Sequence, residues 1–161
     1  MDAIDRVLSQ WDKEIPELNT VPMAMIGRLM RLSKILESRI AEVHKKYDLK
    51  MGEFDVLATL RRAGMPYRLT PSELLASMLL TSGAMTNRLD KLESKNLIVR
   101  KHSQADRRSV EVELTEKGLV LVDDLIVEHV REQEALVDGL SQTEQEQIGQ
   151  CLKLWLKTFE G

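Results

Sequence analysis

The chain has 161 residues, of which 43% are hydrophobic, 30% charged and only 4% aromatic. That suits one globular domain or two small ones with an aliphatic core, and it excludes a disordered chain or a large multidomain machine. Its 23 Lys and Arg against 26 Asp and Glu leave a net charge of −3, a balance that alone points to no polyanionic partner. The single cysteine, Cys151, stands in no CxxC or CxxH spacing, which excludes an intrachain disulfide and a cysteine-rich zinc site. The opening residues MDAIDRVLSQW carry three charges and no long apolar core, and no later segment reaches ~18 uncharged apolar residues. A cytoplasmic protein with no membrane partner is therefore expected.

Ile4, Val7, Leu8 and Trp11 recur at helical period from Asp2 to Trp11, predicting a first helix within residues 1–14. Pro16 and Pro22 bracket a connector. From Met23 an apolar stripe runs through Ile26, Leu29, Met30, Leu32, Ile35, Leu36, Ile40 and Val43, interleaved with Arg28, Arg31, Lys34, Glu37 and Arg39. This is a long helix with apolar surface enough for a subunit interface as well as its own core. Met51 to Arg62 reads as another helix, with Phe54, Leu57 and Leu60 inward and Gly64 and Pro66 ending it.

Thr70-Pro-Ser-Glu73 combines an N-cap threonine, a proline at the first helical position and a capping-box acid, just before Leu74 and Leu75. That predicts a short helix. Thr81 and Ser82 offer a fresh cap for a helix to about Lys95, with Met85, Leu89 and Leu92 inward, and the pair makes a helix-turn-helix. After Asn96 the period drops to two: Leu97, Ile98 and Val99, a polar turn at Gln104 to Arg108, then Val110, Val112 and Leu114, a two-stranded hairpin with a charged tip. Thr115-Glu-Lys-Gly118 caps a long helix through Val137, Gly139 and Ser141 break it, and Ser141-x-x-Glu144 caps a last helix with Ile148, Leu152, Leu154, Trp155 and Phe159. The fold class is mainly α with a small β-hairpin wing.

Charge divides the chain. Thr81 to Arg108 holds seven Lys or Arg against three acids, and Ser109 to Gly161 four against twelve, so the basic part coincides with the helix-turn-helix and hairpin. A helix from Thr81 can enter a major groove with Thr81, Ser82, Gly83, Thr86 and Asn87 on its exposed N-terminal face, small or polar side chains that reach base edges or phosphates. Lys91 and Lys95 at its far end face backbone phosphate. Arg107 and Arg108 at the hairpin tip suit a narrow minor groove, where negative potential concentrates. The plainer reading, ordinary solvated charges, weakens when all of these occur together in order.

His44, His102 and His129 are widely separated and without ligand spacing, and there is no glycine-rich phosphate loop, nucleophile elbow or HExxH. Each histidine is expected at the surface, and no enzyme activity, cofactor or metal is expected. Cys151, among apolar positions, reads as a core or interface thiol rather than a redox sensor. If the helices carrying Asp55 and Arg88 meet, an ion pair between them would hold one to the other, and a ligand disturbing it would move the reading helix. A purely structural pair or two exposed charges is the rival reading.

Thr70-Pro-Ser-Glu-Leu74, Thr81-Ser-Gly-Ala-Met-Thr-Asn-Arg-Leu-Asp-Lys-Leu-Glu93, Leu97-Ile98, Asp106-Arg-Arg108 and Leu114-Thr-Glu-Lys-Gly118 together resemble the MarR family of winged helix-turn-helix transcriptional regulators, over Met23 to about Phe159. The resemblance implies a homodimer: residues 1–48 and 116–161 form a helical dimerisation region, with an extra N-terminal helix at 1–14. Residues 49–115 would form the DNA-binding domain, each lobe reading half of a palindromic operator in double-stranded DNA. It also implies repression relieved by small anionic or phenolic ligands.

Trp11, Pro16, Val21-Pro-Met-Ala-Met-Ile-Gly-Arg-Leu29 and Glu53-Phe-Asp-Val-Leu57 further resemble the urate-responsive, PecS-like branch. By that resemblance the ligand set falls on Trp11, Asp55, Arg88 and Arg100, with urate or a related small anion as effector. The family's sensing cysteine lies near the N-terminus, where this chain has none. Two alternatives stay open: the same fold responding to another organic anion, an oxidant or pH, and a helical interaction module whose basic patch meets an acidic protein.

Overall fold

The computed structural model describes residues 1–79 and 84–160, and the chain divides into two compact units, Met1–Arg39 and Ile40–Gly161. The first unit holds α1 (Ala3–Glu14) and most of α2 (Val21–Lys45). Asp2 caps α1 by accepting the Ile4 and Asp5 N–H groups at 2.7 and 2.9 Å, while the Asp5 carboxylate accepts the Asp2 N–H at 2.7 Å. This is a reciprocal box built from two aspartates. Arg28 of α2 closes on both, at 2.8 Å from Asp2 and 2.6 Å from Asp5, and its hydrogen bond holds the Asp2 carboxyl at about 2.

In the second unit the end of α2 leads to α3 (Met51–Arg62), β1 (Arg68–Leu69), α4 (Pro71–Ser77), α5 (Met85–Ser94), β2 (Ile98–His102), β3 (Val110–Leu114), α6 (Glu116–Val137) and α7 (Gln142–Glu160). Helix α3 is central: Val56, Leu57 and Leu60 are completely buried, packed with Leu74 of α4, Leu92 of α5, Ile98 and Val112 of the sheet, and Leu125 of α6. The alternation read after Asn96 produces antiparallel pairing from Ile98↔Leu114 to His102↔Val110.

The capping signals act as their chemistry requires. Thr70 accepts the Glu73 N–H at 3.2 Å and Glu73 accepts the Thr70 N–H at 2.8 Å; Thr115 accepts the Gly118 N–H at 3.0 Å; Glu144 accepts the Ser141 N–H at 2.7 Å.

Two expectations are corrected. The wing has a third strand, because β1 pairs with β3 through Arg68↔Glu113 and Leu69↔Val112, giving the order β1-β3-β2. Two residues are too few for alternation to register. The reading helix starts at Met85 rather than at Thr81, because Ala84 takes φ 59 and ψ 38, a left-handed conformation that no α-helix contains. Thr81 and Ser82, proposed as its cap, lie outside the described residues.

The last helix, α7, buries none of its residues within the chain. Leu154 is 66% and Phe159 76% exposed there, as Met30 of α2 is at 68%. No helix among the described residues is long and apolar enough to cross a membrane.

Candidate nucleic-acid interface and ligand site

Burial of Leu89 and Leu92 fixes the orientation of α5 and leaves Thr86 and Asn87 exposed on its first turn. Thr81, Ser82 and Gly83 fall outside the described residues. Lys91 is half-buried and makes no ion pair with any described residue. Lys95, expected at phosphate, is turned inward instead: its Nζ lies 3.1 Å from Oε1 of Glu53, a side chain only 3% exposed, 3.6 Å from Oδ2 of Asp48, and donates to the Asp48 carbonyl. A buried carboxylate needs a partner, and here that partner is Lys95. Replacing Lys95 with Met is accordingly expected to destabilise the fold by about 3 kcal/mol, since Glu53 is left buried and unpaired, whereas Lys91→Met leaves the urea midpoint unchanged. Equal midpoints for the two variants would refute this division of labour.

The wing tip is a built turn. Ser103, 9% exposed, donates its N–H to the Ser109 carbonyl at 2.8 Å, and its hydroxyl accepts the Ala105 and Asp106 N–H groups at 3.2 and 3.4 Å. Asp106 accepts the Arg108 N–H at 2.9 Å. Sequence reasoning missed Ser103, although a serine immediately before a turn is a known local backbone acceptor. Arg107 and Arg108 project from this turn, exposed, and make no ion pair with any described residue.

Of the four residues assigned to a ligand, Trp11 is 39% exposed and belongs to the first unit. The other three belong to the second. Asp55 is 5% exposed and accepts the Leu79 N–H, two residues past α4, at 3.4 Å. The Arg88 side chain lies directly on α3, so close to Gly52 that a Cβ built there would fall 2.4 Å from its Nε. The helices carrying Asp55 and Arg88 therefore meet, as the sequence argument required, and the missing Cβ of Gly52 leaves room for the Arg88 guanidinium.

Arg100 on β2 reaches back to α5. Its Nη2 lies 2.7 Å from Oδ1 of Asp90 and 2.9 Å from Oε1 of Glu93, and its backbone N–H donates to Oε2 of Glu93 at 3.0 Å. Those hydrogen bonds hold the Glu93 carboxyl below the usual carboxylate range. Neither acid was singled out in the sequence.

The histidine expectation is overturned for His44, beside which His129 is half-buried. His44 is 1% exposed, with Nε2 2.9 Å from Nδ1 of His129, and both rings pack against Phe54 at centroid distances of 4.3 and 4.7 Å. Burial first, then the neighbouring His129, pushes the His44 pKa down to about 4; burial lowers that of His129 as well. The two residues are 85 apart in the chain, so no local spacing announces the pair. Cys151 is exposed, which rules out a place in the core of the single chain. No group of three or more His, Cys, Asp or Glu able to hold a metal occurs among the described residues.

Residues 49–110 match the model of the MarR family. The chain is 36% identical over 141 residues to the HTH-type transcriptional regulator PecS of Dickeya dadantii, covering 88% of this chain and 85% of that one. Among solved structures it resembles a cysteine-to-serine mutant of MarR from E. coli complexed with operator DNA, with a TM-score of 0.70, 26% identity and coverage of 91% of this chain and 97% of that one. Sco3205, a MarR family transcriptional regulator from Streptomyces coelicolor solved in complex with DNA, shares the fold at a TM-score of 0.80 and 17% identity, over 89% and 91% of the two chains.

Proposed function

Because the chain belongs to the MarR family, and so is a DNA-binding transcriptional regulator rather than an enzyme, we propose that it acts as a cytoplasmic homodimeric repressor released from a palindromic operator by urate or a related small anion. One observation carries the reading. Three of the four side chains assigned to the effector tie the DNA-reading parts together: Asp55 accepts the Leu79 N–H just past α4, Arg88 lies on α3, and Arg100 joins β2 to α5. An anion recruiting the two guanidinium groups would pull on the reading helix and the wing at once.

In this reading residues 49–115 contact DNA, with Thr81, Ser82, Gly83, Thr86 and Asn87 in the major groove, Lys91 at phosphate, and Arg107 and Arg108 in the minor groove. Residues 1–48 and 116–161 form the dimer, which gives the uncovered apolar side chains of α2 and α7 a partner.

The test is fluorescence anisotropy on labelled DNA from the protein's own upstream region, at ~0.15 M salt, with and without urate. Operator-preferring binding that weakens with urate supports the proposal. Replacing Arg107 and Arg108 together by Ala is expected to weaken binding by ~10–100-fold and to flatten the log affinity against log salt slope by about 2. Binding indifferent to urate removes the effector, and no preference over random duplex removes the operator. A second reading, the same fold answering to pH, is favoured by the buried His44 and its half-buried partner His129, where the end of α2 meets α3 and α6.

A further inference from the structure

The bonds of Arg100 are unusual for its strand. In register it opposes Val112, whereas its neighbour Lys101 opposes Glu111 and makes an ion pair with another acid of the facing strand, Glu113, at 3.4 Å. Arg68, too, pairs within the sheet, with Glu111 at 3.2 Å. Arg100 instead leaves the sheet for two acids on α5, so the wing and the reading helix are held by charge. Two carboxylates face one guanidinium there, and the cluster is net negative. The two differ in tenure: Glu93 holds both the side chain and the backbone N–H of Arg100, whereas Asp90 makes a single bond and is 56% exposed.

An anion approaching this guanidinium meets repulsion from both acids unless they turn away. We propose that Asp90 and Glu93 are a built-in competitor for Arg100: they set the effector concentration at which the anion engages, and their displacement uncouples β2 from α5. This rests on the reading above in which Arg100 takes the effector. It adds a selectivity, because a site that already contains two carboxylates admits a monoanion more readily than a multiply charged one. It also gives displacement a mechanical consequence, since the Glu93 carboxylate that leaves the guanidinium is the one holding the backbone of β2.

The experiment is calorimetric titration of urate into the DNA-free full-length protein and its Asp90→Asn and Glu93→Gln variants, at about 0.05 M and about 0.5 M salt. Each variant is expected to bind urate ~3–10-fold more tightly at the lower salt, with the gap narrowing at the higher salt as the removed repulsion is screened. Tighter binding is an outcome that a damaged fold does not mimic. Arg100→Lys, which keeps the charge and loses the planar fork, is expected to bind more weakly than the wild type. Variants that bind urate no more tightly than the wild type, or a gap that persists unchanged at high salt, overturn the competitor role alone. A wild type that does not bind urate overturns the effector reading and this role with it.

Discussion

Gly118→Ala is expected to lower the stability of the domain by about 3 kcal/mol, a fall of roughly 10 °C in the thermal midpoint for a chain of this size. On propensity alone the sign is the opposite, because alanine in a helix interior is favoured over glycine by about 1 kcal/mol. Space decides otherwise. Gly118 is buried in the first turn of α6, and a Cβ there would lie 2.0 Å from the Leu97 carbonyl oxygen and 2.9 Å from its carbon. Both atoms are backbone, so no side chain can rotate out of the way. The segment they belong to is fixed by its own bonds: the Thr115 N–H donates to that same Leu97 oxygen at 3.1 Å, the Thr115 hydroxyl donates to the Asn96 carbonyl at 2.6 Å, and the Leu97 N–H is bonded to Leu92 at 3.0 Å.

Accommodating the methyl group means lifting the start of α6 from the α5–β2 connection, so the wing shifts as stability falls. Thermal melts followed by circular dichroism, with operator affinity on the same sample, check both parts. A midpoint equal to or above that of the unsubstituted protein would show that α6 slides freely along the connection.

What the sequence disclosed, and what it withheld, follows from the range of the interactions concerned. Thr70, Thr115 and Ser141 were legible because a helix N-cap is complete within four residues, and the β2–β3 hairpin because its register is set by alternation either side of a short turn. The strand β1 was not, since its two residues gain meaning only from β3, more than forty positions on. Neither did Thr81 and Ser82 betray that α5 begins at Met85: the break is the backbone of Ala84, a residue with no turn preference of its own. In the candidate site the residue types came through while their partners did not. Lys95 has the spacing of a phosphate contact yet serves Glu53, because a buried carboxylate outcompetes a distant ligand for the nearest ammonium. Arg100 came from the family resemblance, but Asp90 and Glu93, which hold it, do not stand out in a helix surface already rich in charge. The Arg88 side chain lies on α3 in the space that the missing Cβ of Gly52 leaves, a packing condition that no motif states.

The histidine pair yields the remaining large effect, and it is one of pH. In the native state His44 is enclosed between Phe54 and His129, with its pKa at about 4, while in the unfolded chain an imidazole titrates near its ordinary value of about 6.5. Between those two values the unfolded state binds a proton that the folded state refuses, so by linkage stability falls as pH falls. The contribution of His44 is complete above about pH 6.5 and lost by about pH 4, amounting to about 3 kcal/mol. His129, shifted in the same direction by burial, adds to the fall.

The carboxylates act lower on the scale. Asp2, held at about 2, and Glu93 and Glu144, held below the usual range, give up their contributions only as pH drops through the ordinary carboxylate region and below, so a loss already under way at pH 6 belongs to the imidazoles. Urea unfolding at pH 7.5, 6.0 and 5.0 is expected to show the midpoint declining through this window, and His44→Phe to flatten the decline between pH 6.5 and 5 by removing the group that must protonate. An equally steep decline in that variant would place the proton uptake elsewhere. Since the pair joins α2, α3 and α6, the same protonation loosens the helix that carries Asp55, and operator affinity measured across the window separates a regulator that answers to acid from one that merely unfolds in it: in the first case affinity falls while the far-ultraviolet signal is still native.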